Sequence, residues 1–271
     1  MVLLLGGVQQ ITTWQQFGRQ VRAKDGPLLR RLGEFRDTVL VAGCQRSGTT
    51  MLTRVLNEAP ELVDFRFGRD DELDAALILA GAVPHEVAGR HCFQTTYLNE
   101  RYGEYAASLQ EGADFRLIWV VRNPYSVVYS LLYNWRSFGL NELFRGCGAA
   151  RLDGPARRRY DWLGGRLGHL AVRRLKRACL SYSGKAAQVF ELAPALGERM
   201  LVVDYDALVA DKMRLLPQVF AFAGLEYRAA YADGVHGSSV NKASRLSARE
   251  RAMIHDLCSP VYERARALAV Q

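Results

Sequence analysis

The feature that most constrains this chain is an apolar, β-branched run that stops at a glycine and passes at once into a glycine-bounded loop. The run is Asp37-Thr-Val-Leu-Val-Ala-Gly43, and the loop is Gly43-Cys-Gln-Arg-Ser-Gly48-Thr49-Thr50. An unbroken apolar run of this length marks a strand buried on both faces, as in parallel sheets covered by helices on either side. Residues 49–58 read as a helix that closes before Pro60. Strand, loop and helix in that order make a backbone able to wrap an anion. The glycines let it turn, and the amides of Ser47 to Thr50 face outward at a helix N-terminus, where the dipole favours negative charge. The plainer alternative is a Gly-Thr turn that merely caps a helix. The strand before it and the helix after it favour the phosphate site.

Two more apolar runs follow, Arg116-Leu-Ile-Trp-Val-Val121 and Met200 to Asp204, with a weaker one at His91 to Thr96. Helical patterns occupy 14–34, 71–80, 98–109, 162–193, 206–223 and 247–268. Another opens at Asn123-Pro124, with Asn as N-cap and Pro in the first turn, and runs to about Trp135. The Gly- and Arg-rich stretch 137–160 reads as irregular. Strands alternating with helices predict an α/β three-layer sandwich, with a parallel sheet of about five strands and P-loop-like topology. A chain of 271 residues suits a single domain over 1–271, with a lid or acceptor-site segment at 137–180.

The loop has the spacing of the nucleoside-triphosphatase loop G-x-x-x-x-G-K-[ST], and Thr50 stands at the Ser/Thr position. Thr49, however, replaces the lysine that reaches the outer phosphates, while a cation stands earlier, at Arg46. The apolar run that ends in an acid is LVVD204, and its next residues, Tyr205-Asp206, open a helix rather than a metal site. The loop therefore suits one phosphate with no phosphate chain beyond it. A kinase or NTPase is the rival reading of the same residues.

QRSGTT resembles the 5′-phosphosulfate loop of sulfotransferases that use 3′-phosphoadenosine-5′-phosphosulfate (PAPS), in the Arg-Ser-Gly-Thr-Thr form of the bacterial and tyrosyl-protein branches. RLIWVVRNPYSVVYS resembles that family's 3′-phosphate motif: a strand, an arginine, and a serine eight residues on. LVVDYDALVAD is similar to its strand followed by Tyr-Glu-x-Leu, with Asp206 in the glutamate's place. Ser238-Ser-Val-Asn-Lys242 is similar to the loop that closes over the nucleotide, so the resemblance runs from about Val39 to Lys242. It implies a PAPS-dependent sulfotransferase. Arg46 would act catalytically on the bridging oxygen, where charge grows as the bond breaks. Gln45, Ser47, Gly48, Thr49 and Thr50 would form the 5′-phosphate loop. Arg122 and Ser130 would hold the 3′-phosphate, Tyr205 would lie near the adenine, and Lys242 would close over the nucleotide. The residues add one physical point: Arg122 leaves a strand end beside a capped helix N-terminus, a suitable place for a second phosphate.

Direct transfer to a hydroxyl, or less readily an amine, needs a base for the acceptor's proton. The branch that the loop resembles uses a glutamate one helix and one loop later. In RFGRDDELDAALIL, Asp70 and Asp71 can serve the helix start, which leaves Glu72 as first candidate, Asp71 as second and His91 as third. The resemblance implies no metal. A fold of this type that has lost its chemistry and serves as an interaction module is a further alternative.

The formal charge of +8 favours anionic partners. No basic run interleaved with aromatics points to nucleic acid. Five scattered cysteines without a CxxC argue against disulfides and zinc, and suit a reducing compartment. The N-terminal MVLLLGGVQQITTW is too short and lacks the basic flank of a signal peptide, and no run is long enough for stable membrane insertion. These features predict a cytoplasmic protein. Its acceptor is a small molecule, lipid or glycan, and Tyr125, Tyr129, Tyr133 and Trp135 could line an aromatic pocket for it. Arg157, Arg158, Arg159, Arg173, Arg174, Lys176 and Arg177 form a basic stretch that either docks an acidic carrier or membrane or is simply solvated.

Overall fold

A computed structural model describes residues 11–24, 26–66, 70–164, 167–237 and 244–270. Strands β1 (Thr38–Gly43), β2 (Cys92–Gln94), β3 (Phe115–Val121) and β4 (Met200–Asp204) form one parallel sheet in the order β2-β1-β3-β4. The three apolar runs are the three long strands, and the weak candidate is the short edge strand. The sheet has four strands among the described residues, one fewer than the alternation suggested.

The helices are α1 (Trp14–Phe17), α2 (Thr49–Leu56), α3 (Asp71–Leu79), α4 (Glu104–Gln110), α5 (Pro124–Tyr133), α6 (Ser137–Leu143), α7 (Gly154–Leu163), α8 (Arg174–Ala186), α9 (Val189–Leu196), α10 (Tyr205–Ala210), α11 (Lys212–Ala223) and α12 (Ala248–Arg266). Side chains alternate across a strand, so each face of the sheet has its own core. Leu40 and Ala42 of β1, with Leu117 and Trp119 of β3, pack with residues of α3 and α9. Val39, Val41, Ile118 and Val120 face the other way, onto α2 and α11. This is the expected three-layer arrangement. A further apolar cluster joins α5, α6, α8 and α12 beyond the carboxyl end of the sheet.

Several sequence expectations change; the helices expected at 98–109 and 206–223 are each split in two. The 14–34 helix is α1 followed by a wide π-turn, Gly18–Arg22, and the chain then turns before Leu28. Gly26 at φ +138 and Pro27 after it end any helical path there. The stretch 137–160 is mostly helical instead of irregular. Close packing sets one of its glycines: a Cβ at Gly148 would crowd the backbone of Ser181 on α8, and a Cβ at Gly184 of α8 would overlap the Cys147 carbonyl. Backbone thus meets backbone where α8 crosses this segment. The expected helix 162–193 is split, because Gly164 at φ +51 ends α7 and a 3-10 turn, Gly168–Ala171, precedes α8. No helix among the described residues is long and apolar enough to cross a membrane.

Candidate active site

The strand order reverses direction at β1, with β2 on one side of it and β3 on the other. A crevice opens at the carboxyl ends of strands at such a switch point. The loop after β1 occupies it. A Cβ at Gly43, φ +140, would overlap the Val120 carbonyl of β3, and one at Gly48, φ +103, would overlap the Tyr205 ring. Glycine is therefore required at both ends of the loop by contact and by conformation. Arg46 holds φ +72, uncommon for a side chain of its size. The first-turn amides of α2 have no acceptor within the helix and face the crevice. Ser47 is fully buried, and its Oγ has no hydrogen-bond partner among the described residues.

The second motif meets the first. Arg46 Nε donates to Ser130 Oγ at 3.0 Å. Ser130 sits well inside α5, where its spacing gave no hint of this contact. Arg122, buried at the end of β3, lies over the Tyr205 ring with 4.1 Å to the centroid and reaches the Arg46 carbonyl at 3.4 Å. The third motif fixes the second. Asp206 accepts from Asn123 N at 2.8 Å and Nδ2 at 2.9 Å, and Asn123 Oδ1 caps α5 by accepting from Ser126 N. Asp204 is fully engaged: Oδ1 accepts from the amides of Asp206 and Ala207, and Oδ2 accepts from the Tyr262 hydroxyl at 2.8 Å. Tyr205 donates its hydroxyl to the His236 carbonyl. Among the described residues no three His, Cys, Asp or Glu side chains are grouped to hold a metal.

Gln45, Arg46, Gly48, Thr49, Thr50, Arg122, Ser130 and Tyr205 line one cavity of about 830 Å³, and Glu72 lines it too. Gln45 spends its amide nitrogen on the wall, donating to Thr96 O and Asn99 Oδ1, both at 3.0 Å. Lys242 and Ser239 lie outside the described residues.

The start of α3 divides its acids by role. Asp70 caps the helix, accepting from the amides of Glu72 and Leu73, and its other oxygen accepts from Trp14 Nε1 at 2.8 Å. Asp71 pairs with Arg54 at 2.9 Å. Glu72 is left facing the cavity, where it accepts from the Thr96 hydroxyl and from Gln94 Nε2 at 3.2 Å. The same Gln94 nitrogen donates to Thr49 Oγ1 at 3.2 Å. One amide group thus ties the carboxylate to the loop after β1. Burial pushes the Glu72 carboxyl up to about 7, against the opposing pull of the Thr96 hydrogen bond. His91, the third base candidate, does not line the cavity. It is buried among Phe35, His85 and Phe93, with 3.2 Å between its Nε2 and that of His85.

Several participants escaped the sequence reading. Gln94 and Thr96 stand out only once Glu72 is in place. Further parts of the cavity wall come from Thr12 to Gln15, Phe17, Gly18, Arg22, Tyr97, Trp135 and Phe138. Of the four aromatics expected at an acceptor pocket, Trp135 lines the cavity. Tyr129 and Tyr133 pack on one another at 4.8 Å, Tyr133 bonds to Glu250, and Tyr125 packs against the α5–α8–α12 cluster.

No protein-family model and no curated protein matches the chain. Solved structures do. A mouse sulfotransferase, SULT7A1, complexed with PAP has 14% identity and a TM-score of 0.51, over 89% of this chain and 91% of its own. A sulfotransferase from Alicyclobacillus acidocaldarius has 18% identity and a TM-score of 0.50, over 85% of this chain and 94% of its own. The architecture described above is therefore the fold of these sulfotransferases.

Proposed function

We propose that the chain is a sulfotransferase that moves a sulfuryl group from PAPS to an acceptor hydroxyl in a single in-line step. The observation that carries this reading is the Gln94 bridge: it joins a carboxylate with a raised pKa to a one-phosphate loop across the cavity that Arg46, Ser130 and Arg122 also line. In this reading Glu72 takes the acceptor's proton as the acceptor oxygen bonds to sulfur. The bond from sulfur to the 5′-phosphate oxygen breaks, and Arg46 meets the charge left on that oxygen. The first-turn amides of α2, with Gly48, Thr49 and Thr50 on the cavity wall, suit the 5′-phosphate; Ser47 lies behind that wall. Arg122 and Ser130 suit the 3′-phosphate. The flat ring of Tyr205 suits the nucleotide base. A neighbour of the same fold was captured with PAP, which supports the same nucleotide here. The acceptor occupies the part of the cavity walled by residues 12–22, Tyr97, Trp135 and Phe138. The segment 137–180 begins at that wall and serves as lid or acceptor-side support.

The kinase or NTPase reading lacks the loop lysine at Thr49, and Asp204 already spends both oxygens on the fold. Calorimetric titration with adenosine 3′,5′-bisphosphate, against ATP with magnesium, tests the proposal. Binding of the bisphosphate that ignores magnesium and is lost in Arg122→Ala supports it. Binding of ATP with magnesium and none of the bisphosphate overturns it. Bisphosphate binding without transfer to any of a broad set of hydroxyl acceptors would favour the non-catalytic module.

A further inference from the structure

Away from the cavity, the surface between residues 154 and 174 combines two properties that globular surfaces keep apart. Trp162 on α7 is 83% exposed, and Leu167 and Leu170, in the turn that follows, are 56% and 63% exposed. Large apolar side chains exposed this far are normal singly, but three within one short arm call for an explanation. The arm does not need them for packing. It has its own small core of Phe144, Leu152, Val172 and Leu180, with Tyr160 against it. Nor does it lack anchors. The Tyr160 ring meets the Phe144 ring at 5.8 Å, and Arg177 Nη1 holds the His169 carbonyl at 2.8 Å. The arm is anchored on its inward side, and the three apolar side chains remain outside.

The charge around them is predominantly positive. Arg158 and Arg159 stand four and three residues before Trp162, on neighbouring positions of the α7 surface. Arg173 and Arg174, also exposed, follow the turn. None of these four has a carboxylate within ion-pair distance among the described residues, whereas Arg157 is neutralised by Asp161 at 2.9 Å. The chain as a whole carries +8.

We propose that this arm docks the protein onto an anionic lipid bilayer, as a peripheral contact. The guanidinium groups would pair with lipid phosphates, and Trp162, Leu167 and Leu170 would enter the boundary between headgroups and acyl chains. The three stand within one short stretch of chain, among exposed arginines. A protein partner needs a matched surface to bury such projections, whereas a fluid interface accepts each where it stands. Single-stranded nucleic acid could stack on Trp162 and pair with the arginines, but it offers nothing to the two leucines. The inference stands on the arm alone and does not depend on the chemistry of the cavity.

Sedimentation of the full-length protein with sucrose-loaded vesicles tests it, comparing phosphatidylcholine alone with phosphatidylcholine mixed with phosphatidylglycerol. Binding is expected to the anionic vesicles and to weaken with salt. Trp162→Ser should lower the partition coefficient ~10-fold or more. Arg158→Gln and Arg159→Gln should each lower it ~5-fold. Each variant should melt as the parent does, since the side chains are outside the core. A second measurement needs no variant: vesicles brominated along the acyl chain should quench part of the tryptophan emission. The proposal fails if anionic vesicles do not bind, if binding is the same in Trp162→Ser, or if brominated lipid leaves the emission unchanged. Self-association that depends on Trp162, with no vesicle binding, would reassign the arm to contact between copies.

Discussion

At the scale of single residues, the site turns on what surrounds Glu72. The two acids before it absorb the capping and ion-pair duties of the helix start, so its carboxylate is spared for the cavity. That division was legible in DDEL because helix starts use acids in a known order. The partners were not legible: Gln94 and Thr96 arrive on β2 and the turn after it, and no local pattern links them to α3. A base held up to about 7 is ionised only above that value, so kcat/KM should climb through pH 7 and level off above pH 8. Lys185 bears on this limb. It is fully buried on α8, its ammonium lies 5.5 Å from the centre of the Trp119 ring, and its charge pulls Glu72 downward. Lys185→Met should therefore move the limb to higher pH, which a pH–rate profile would read directly. Glu72→Gln should cost about 10²- to 10⁴-fold in kcat while bisphosphate affinity, read by calorimetry, stays within a few-fold.

At the scale of elements, the phosphate loop is held from behind by two strands and one ring. A side chain at Gly48 would need both a strained φ and the space that the Tyr205 ring fills. Gly48→Ala should abolish nucleotide binding and cost ~1–3 kcal/mol in denaturant unfolding. The glycine spacing itself was plain in the sequence. The reason for it, a ring delivered from beyond β4, was not, because the two lie more than 150 residues apart. The pairing of β1 with β2 carries a pH dependence of its own. Burial, then the neighbouring His85, holds His91 down at about 4, below its ordinary 6.5. The unfolded chain therefore takes up this proton first. Stability should be complete above pH 6.5 and fall as the pH drops from there through 4. The melting temperature followed over this range should decline, and His91→Phe should flatten the decline. The glycines of 137–160 misled at this scale. Composition reads them as breakers, yet Gly148, with Gly184 of α8 opposite, marks where two helical segments touch backbone to backbone.

At the scale of the whole molecule, the layers and the parallel sheet follow from three apolar runs spaced by helical patterns. The strand order and the acceptor wall do not, because both depend on which distant segments meet. The part of the cavity proposed for the nucleotide is assembled from the ends of β1, β3 and β4, so a ligand that spans them should brace the entire fold. Adenosine 3′,5′-bisphosphate at a hundred times its Kd should add about 2.7 kcal/mol, or roughly 5–10 °C in melting temperature, and Arg122→Ala should remove most of that shift. The same geometry bears on the order in which the chain acquires structure. β1 is made early, but its longest partner, β3, begins about 77 positions later, and the Tyr205 ring that closes on the loop comes later still. Parallel strands cannot start from a hairpin, and contacts at such separations form slowly. During synthesis the loop after β1 is thus among the last parts to lock, and a ribosome-bound chain lacking residue 205 would carry the whole motif without the ring that closes on it.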